Sequence, residues 1–261
     1  MGMRSDFSWL LRSGAATAAL LAATSAFAAD LPTQKTPPAS APVIGKVTPS
    51  FFVKAGFLYA INQSSSKLYS QDLLSGGFGP QSQLPGVGAT VGNVATLGLE
   101  AGYYVTPNVS IDISAGIPMW ASDKTKGAPP VAPPTYGNPP SGTTLAKIMP
   151  SFIPLTALYH FNQFGAFQPY LGAGVAAVFS FQTKDEFNTG VTVDPTVGFV
   201  VQGGADIMID QHWGWTFDVK KLFANATSHA TGDVGVPFAL ASTQKTFFQP
   251  WVLSTGVAYR W

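Results

Sequence analysis

The sequence lacks cysteine and contains few charged residues. None of its 261 residues is Cys, which excludes disulfides, thiolate metal sites and a cysteine nucleophile. Lys, Arg, Asp and Glu together make up 10% of the chain, whereas an ordinary soluble domain has about 25%. The formal net charge of +1 provides no field that would attract nucleic acid. These shortages argue against a water-facing globule and against a nucleic-acid-binding protein.

Long apolar runs are also missing, except near the N-terminus. Arg4 and Arg12 flank the start, residues 15–23 are rich in Ala and Leu, and Ala26-Phe27-Ala28 has a small-x-small pattern. This arrangement predicts a secretory signal peptide that is cleaved after Ala28. The alternative, an N-terminal helix of the mature fold, is disfavoured because several prolines follow at once. No other run reaches the roughly 18 apolar residues of a membrane helix.

The remaining sequence is rich in glycine, proline and aromatic residues, and it alternates between apolar and polar positions. The chain has 27 Gly and 21 Pro, and 13% of its residues are aromatic, which disfavours a helical protein. In the clearest stretch, Ile111, Ile113 and Ile117 share one face, and Ser110 and Asp112 share the other. Such alternation predicts a strand between two different environments. Eight stretches alternate in this way, over residues 50–62, 91–105, 109–121, 145–161, 166–182, 196–209, 213–226 and 247–261.

The connections between these stretches alternate strictly in length. Short connections at 106–108, 162–165 and 210–212 alternate with long ones at 63–90, 122–144, 183–195 and 227–246. An outer-membrane barrel has this order, because tight periplasmic turns alternate with longer extracellular loops. The sequence therefore predicts an all-β fold, an eight-stranded antiparallel transmembrane up-and-down β-barrel with short periplasmic turns and long extracellular loops. The alternative is a lipocalin-like soluble barrel, which should bury its large residues and expose its charges.

We predict that the sequence is divided into three segments. Residues 1–28 are the cleaved signal peptide, residues 29–49 a flexible Pro-rich periplasmic leader, and residues 50–261 the barrel. An even number of strands places both termini on the same side of the membrane. For an outer-membrane barrel that side is the periplasm, so we predict a location in the bacterial outer membrane.

Four segments resemble the OmpW family of outer-membrane proteins. They are Gly102–Ser110 (GYYVTPNVS), Phe167–Val175 (FQPYLGAGV), Asp210–Phe223 (DQHWGWTFDVKKLF) and Gly256–Trp261 (GVAYRW). The resemblance runs in register from about Phe51 to Trp261, and only the 210–223 segment is distinctive alone. It implies passage of small apolar compounds across the outer membrane. It also implies that the C-terminal aromatic residues Tyr259 and Trp261 are an assembly signal for the barrel-assembly machinery.

The chain departs from the family pattern in two places. Its last residue is Trp where Phe is commoner, and the second long loop carries an unusual Pro-rich run over residues 127–140. Insertion should tolerate the first change, whereas the second leaves the function of that loop open.

Charged residues are concentrated on the strand face opposite the aliphatic residues. In a barrel whose aliphatic face meets lipid, this charged face lines the lumen. They are Lys54, Glu100, Asp112, His160, Asp206, Asp218, Lys220 and Arg260. Most lie at a similar depth in the periplasmic half, so they must pair or be hydrated, and we predict an ion-pair plug. A metal or acid/base site is the alternative. Basic groups at the same depth and the lack of metal-binding His spacings argue against it, so no metal and no cofactor are expected.

Nearer the outside, the inward positions become apolar. This set comprises Leu58, Pro118, Trp120, Phe152, Val178, Val200 and Leu222. Since a porin lumen is polar throughout, the set predicts an outward-opening pocket for a small hydrophobic molecule. The alternative is simple packing of the upper barrel without a ligand.

Three prolines fall on the predicted third and fourth strands at their outer ends. They are Pro118, Pro150 and Pro154. Proline donates no ladder hydrogen bond and is found at edges and bulges. The set predicts a weakened lateral seam through which a solute leaves the lumen, although prolines at ragged strand ends are an equally simple explanation.

Uptake of small hydrophobic molecules is therefore the predicted function. The alternative is a structural or adhesive (receptor) barrel without transport. An enzyme is not expected, because two of the three histidines, His160 and His212, fall at the periplasmic end, and His229 has no nearby carboxylate in sequence before Asp233. The expected partners are outer-membrane lipid or lipopolysaccharide, small hydrophobic solutes and the barrel-assembly machinery.

Overall fold

A computed structural model describes residues 50–70, 80–83, 86, 88–127, 141–230, 232–233 and 241–261. The predicted signal peptide (1–28), the leader (29–49) and residues 128–140 of the Pro-rich run lie outside these residues. Among the described residues, no helix is long and apolar enough to cross a membrane.

Most of the described residues are in β-strands. In chain order they form β1 (Phe51–Ile61), β2 (Ser64–Ser70), β3 (Ser82–Gln83), β4 (Gly88–Val91), β5 (Val94–Thr106), β6 (Val109–Gly116), β7 (Ala121–Lys126), β8 (Thr144–His160), a 3-10 turn (Asn162–Phe164), β9 (Phe167–Asp185), β10 (Asn188–Thr189), β11 (Thr192–Val193), β12 (Thr196–Met208), β13 (Trp213–Ala230), β14 (Gly232–Asp233), β15 (Ser242–Phe248) and β16 (Trp251–Arg260).

Eight of these strands pair antiparallel in a closed ring. Its order is β1, β5, β6, β8, β9, β12, β13 and β16, and β16 pairs back with β1. The predicted eight-stranded up-and-down barrel is therefore confirmed. Three predicted stretches are divided: 91–105 consists of the last residue of β4 and nearly all of β5, 109–121 ends at Gly116 and resumes as β7, and 247–261 consists of the end of β15 and the whole of β16.

The polarity of the barrel wall is the inverse of that in a soluble protein. In β6, the outward Ile111 and Ile113 are 48% and 50% exposed, whereas the inward Asp112 is 2% exposed. An apolar outer face around a charged interior suits hydrocarbon outside and excludes the lipocalin-like alternative. The same alternation that predicted the strands therefore also separates a lipid-facing surface from a polar lumen.

The short connections lie together at one end of the barrel, here called the turn end. In the turn between β12 and β13, the Asp210 carboxylate accepts hydrogen bonds from the backbone N–H groups of His212 and Trp213, both at 2.7 Å. These bonds hold the pKa of Asp210 below its usual range. In the turn after the 3-10 segment, Gly165 has φ of 68°, a backbone conformation that favours glycine.

The opposite end, here called the loop end, carries an extension of the wall. There β7 pairs with β4 and β8, while β15 pairs with β13 and β2. Between β2 and β4, the Ser66 hydroxyl is within hydrogen-bond distance of the backbone N–H and C=O of Ala89. These strands thus extend the wall of the barrel beyond the eight-stranded ring and enclose additional space at the loop end.

Candidate functional site

All eight charged residues predicted for the lumen are buried inside the barrel: Lys54, Glu100, Asp112, His160, Asp206, Asp218, Lys220 and Arg260. Asp206 lies at the centre of one ion-pair group. Its Oδ1 is 3.2 Å from Lys54 Nζ and its Oδ2 is 2.9 Å from Arg260 Nη2. Because these residues come from β1, β12 and β16, the pairs join strands that are not all neighbours in the ring.

A second ion-pair group lies beside the first and shares Lys54 with it. Glu100 Oε1 is 3.4 Å from Lys54 Nζ, and its Oε2 is 2.8 Å from Lys220 Nζ. Lys220 Nζ also lies 2.6 Å from Asp218 Oδ1. Side chains of β1, β5, β12, β13 and β16 therefore meet inside the turn half of the barrel and satisfy one another's charges.

Two of the eight residues are not in ion pairs. Asp112 accepts a hydrogen bond of 2.9 Å from the Thr156 hydroxyl, and its Oδ1 has no hydrogen-bond partner. His160 lies 2.9 Å from Ser110 Oγ and 3.4 Å from the Tyr104 hydroxyl. Three cations, Lys54, Lys220 and Arg260, thus share the lumen with four carboxylates, and Asp112 is the carboxylate that no cation contacts directly.

Uncharged polar side chains complete this network, and the sequence reasoning missed them. The Tyr170 hydroxyl donates to Asp218 Oδ2 at 3.0 Å, and the Gln202 amide donates to the same oxygen at 2.8 Å. Thr156 Oγ1, whose hydroxyl donates to Asp112, also lies 2.7 Å from Gln202 Oε1. All three lie on the inward face of the alternation, so the pattern that placed the charged residues in the lumen applies to them as well.

An apolar cluster lies on the loop-end side of the charged network. Val178, Val200 and Leu222, all from the predicted apolar set, pack there with Ala176, Ala224 and Phe248. Phe152 packs against this cluster, and it lines two cavities together with Leu58. Phe248 was not predicted, because residues 247–261 were assigned to one strand and the end of β15 was not recognised.

Leu58 of β1 lies close to two glycines, Gly98 of β5 and Gly116 of β6. A Cβ at Gly98 would lie 3.2 Å from Leu58 Cδ1, and one at Gly116 would lie 3.6 Å from the same atom. Glycine at position 98 thus leaves room for this side chain, whereas the distance at Gly116 is an ordinary van der Waals contact. Leu58 and Phe152 fill the lumen directly beside the wall formed by the end of β6.

The prediction that Trp120 faces the lumen is wrong. Its side chain is 45% exposed, and it follows the outward phase of β7, in which Ala121, Asp123 and Thr125 are the buried residues. The inward positions of β6 are the even ones, and in β7 they are the odd ones, because residues 117–120 are not in a strand. Pro118 in this break is only partly buried and does not join the apolar cluster.

The wall is not continuously paired beside this cluster. β6 pairs with β8 as far as Ile113 and Leu155, and pairing resumes only where Ala121 of β7 faces Ile148. Residues 114–120 and 149–154, all of which the structure describes, form no ladder pairs with each other. The three prolines of the predicted seam, Pro118, Pro150 and Pro154, fall within these two segments.

A cavity connects this unpaired segment with the lumen. It is lined by the lumen residues Leu58, Phe152 and Phe248 and by Ile117 and Met119 of the unpaired segment. The latter two are 57% and 46% exposed. An apolar surface therefore continues from the interior to the outer face of the barrel at this point.

The two C-terminal aromatic residues lie at the turn end. Trp261 is 63% exposed, and its ring centroid is 4.9 Å from that of Tyr259. The backbone N–H of Trp261 donates to the carbonyl of Phe51 at 3.1 Å. The last residue thus fastens the end of β16 to the start of β1. In the part of the chain that the structure describes, no group of three or more His, Asp or Glu side chains is arranged to hold a metal ion.

Comparison with known proteins agrees with this architecture. The family model described as OmpW family matches residues 50–261. The chain belongs to the OmpW family. The resemblance found in the sequence is therefore confirmed, and this OmpW-family protein is an outer-membrane β-barrel.

Two relatives are similar to this chain over part of their length. The uncharacterized outer-membrane protein y4mB of Sinorhizobium fredii is 37% identical over 163 residues, which cover 62% of this chain and 64% of that protein. The dibenzothiophene metabolism operon protein PahQ of Pseudomonas aeruginosa is 27% identical over 153 residues, or 59% of this chain and 66% of that protein. Both matches thus span less than two thirds of the relative's length.

A solved structure shares the fold. The outer-membrane protein OprG from Pseudomonas aeruginosa superposes with a TM-score of 0.70 and 20% sequence identity, covering 84% of this chain and 98% of that protein. At this identity the likeness is one of fold.

Proposed function

We propose that this barrel takes up small hydrophobic molecules. A molecule enters at the loop end, rests on the apolar cluster around Phe152, and leaves sideways through the unpaired wall segment into the membrane. One observation carries this proposal: the apolar cluster lies between a charged network that fills the turn half and a wall segment that lacks ladder pairing. The loop end faces the outside in this proposal, and the turns and both termini face the periplasm.

The charged network supports the proposal because it opposes straight passage. Lys54, Asp206 and Glu100 are each at most 6% exposed and are bound to side chains from several strands. An apolar solute would have to separate these pairs, and an unpaired charge in a confined interior costs several kcal/mol. The network therefore acts as a plug for the lower lumen.

The unpaired segment offers a less costly path. Pro150 and Pro154 have no N–H to donate, so opening the wall beside them breaks fewer ladder hydrogen bonds than opening it elsewhere. Ile117 and Met119 extend the apolar lining of the cavity to the outer surface. A hydrophobic solute at Phe152 can thus reach lipid without contact with a charged side chain.

One relative's name is consistent with this chemistry. PahQ is described as a dibenzothiophene metabolism operon protein, and dibenzothiophene is a compact aromatic molecule with little polar surface. We infer that aromatic or aliphatic molecules of this size are the substrates of the present barrel.

A lysine at position 152 should block the path. Phe152→Lys removes an apolar contact of about 2 kcal/mol and places a charge beside the solute, so barrel-dependent uptake should fall on the order of tenfold or more. Uptake of radiolabelled naphthalene would be measured in cells, per amount of heat-modifiable, folded barrel. Phe152→Leu should keep most of the uptake, since it preserves an apolar surface.

A change on the outer face provides the control. Leu155→Ala alters the same strand at a lipid-facing, half-exposed position and should leave uptake near the wild-type value. If folded Phe152→Lys barrel transported naphthalene as well as wild type, the apolar path would be refuted, and a structural or adhesive barrel would account better for the fold.

A disulfide across the unpaired segment should close the lateral exit. Beyond the last ladder pair of Ile113 with Leu155, the next opposed positions are Ser114 and Pro154. The natural chain contains no cysteine, so a Ser114→Cys, Pro154→Cys double variant carries only the intended pair. We expect oxidation to abolish naphthalene uptake and reduction to restore it.

The reduced double variant is its own control for the loss of Pro154, and each single variant controls for oxidation. Crosslink formation would be read from a shift in electrophoretic mobility before uptake is measured. Undiminished uptake through a fully crosslinked barrel would show that solutes do not leave between β6 and β8.

A further inference from the structure

The loop-end extension contains a buried carboxylate that the proposed transport path does not use. Asp123 of β7 is 8% exposed and lines the cavity above the apolar cluster, together with Val178 and Phe248. The cavity has an apolar floor, and two acidic residues line it: Asp123 and Asp194, whose Oδ2 lies 3.2 Å from His229 Nε2. Asp123 lies beyond the lipid-facing ring, in the part of β7 that pairs with Val91 of β4.

The carboxylate of Asp123 is only partly satisfied. Gln244 of β15 donates a hydrogen bond to it, and Oδ1 has no hydrogen-bond partner. Among the described residues, no Lys, Arg or His forms a salt bridge with Asp123. Buried polar groups are nearly always hydrogen-bonded. A carboxylate oxygen without a partner on a cavity wall can therefore accept a hydrogen bond from a molecule that occupies the cavity.

Burial and not a neighbouring charge dominates the electrostatics of this residue. Desolvation raises the pKa of Asp123 to about 6, and the Gln244 hydrogen bond opposes that shift. At neutral pH the group is therefore mainly a carboxylate, which accepts hydrogen bonds and donates none.

The polar neighbour of Asp123 in this cavity, Gln244, has a second hydrogen-bond partner. Gln244 Nε2 also lies 3.1 Å from the Thr246 hydroxyl, so the amide already serves two partners. Leu68, Leu145 and Ile148 supply apolar lining in the same cavity. A molecule that fills this space meets these apolar side chains, hydroxyl-bearing residues such as Thr227 and Ser228, and the Asp123 carboxylate oxygen that has no hydrogen-bond partner.

We propose that Asp123 is a specificity-determining residue that selects apolar molecules with one hydrogen-bond donor, such as a hydroxylated aromatic or aliphatic hydrocarbon, over the bare hydrocarbon. The hydroxyl of the ligand donates a hydrogen bond to the carboxylate oxygen of Asp123 that has no partner. The apolar part of the ligand packs against Val178 and Phe248. This inference rests on the proposed uptake function and names its substrate class.

The test compares 1-naphthol with naphthalene, which differ by one hydroxyl group. Binding to purified full-length barrel in lipid nanodiscs would be measured by calorimetry, with empty nanodiscs subtracted to correct for partition into lipid. Wild type should bind 1-naphthol about tenfold more tightly than naphthalene, the ratio expected for one hydrogen bond to a charged group.

Two substitutions at position 123 distinguish the loss of the hydrogen-bond acceptor from an effect on folding. Asp123→Leu should remove the preference for 1-naphthol and leave naphthalene binding unchanged or stronger, because replacing a buried charge by an apolar residue is usually tolerated. Asp123→Asn keeps a carbonyl acceptor and should retain part of the preference. Glu186→Leu removes a partly exposed carboxylate paired with Lys147 at the same end and should change neither affinity.

The outcomes distinguish this inference from the function on which it depends. If both compounds bind equally to wild type, or if the preference survives in Asp123→Leu, the role of Asp123 is refuted while uptake stands. If neither compound binds and neither enters cells through the barrel, both the role of Asp123 and the uptake function are refuted.

Discussion

Removal of the last residue, Trp261, should leave the protein unassembled in the periplasm, with little or no heat-modifiable barrel in the outer membrane. The deletion removes the hydrogen bond from the Trp261 N–H to Phe51, which fastens β16 to β1. It also removes the exposed indole next to Tyr259, and aromatic side chains are favoured at the membrane interface. The measurement is the heat-modifiable fraction in isolated outer membranes, compared with the amount in the periplasm.

Two substitutions at the same position separate the aromatic ring from the backbone. Trp261→Phe keeps an aromatic ring and should assemble normally, whereas Trp261→Asp keeps the backbone hydrogen bond and should fail. Normal assembly of Trp261→Asp would show that the barrel-assembly machinery does not read this residue as its signal.

Loss of the central carboxylate of the charged network should strongly destabilise the folded barrel. Asp206→Asn leaves Lys54 with only Glu100 at 3.4 Å as an ion-pair partner, and it leaves Arg260 without a carboxylate partner. Breaking a buried pair in this way costs about 3–5 kcal/mol, because a buried charge remains uncompensated. The free energy of unfolding would be measured by urea titration in lipid vesicles.

Asp112→Asn is the matched control for this prediction. Asp112 lies in the same lumen but contacts no cation directly, and Asn retains an acceptor for the Thr156 hydroxyl. We expect a change of about 1 kcal/mol or less. Equal destabilisation by the two substitutions would contradict the assignment of Asp206 as the centre of the ion pairs.

The inward charged residues were predictable because alternation is a local property of the chain. Asp112 lies between two outward isoleucines, and its side in β6 follows from its neighbours alone. The ion-pair partners did not follow from the sequence, because Lys54 and Asp206 are far apart in the chain. Their contact depends on the register of every strand between them around the ring.

Trp120 shows where this local reasoning ends. Extending the phase of β6 through Pro118 placed its side chain in the lumen, but residues 117–120 leave the strand and β7 resumes with the opposite phase. A one-residue shift reverses every later side chain on that strand. The same shift turns Asp123 inward, so the sequence reasoning could not assign it to the loop-end cavity.

The sequence by itself determined the fold class, the number of wall strands and the face that meets lipid, because a period of two residues and the lengths of connections are read without knowledge of distant contacts. Tertiary structure decided the ion pairs, the gap in pairing between β6 and β8, and the cavity that Asp123 shares with Val178 and Phe248. Each of these brings together residues from different strands. Their positions depend on breaks and shifts within the strands, which only the closed ring fixes in space.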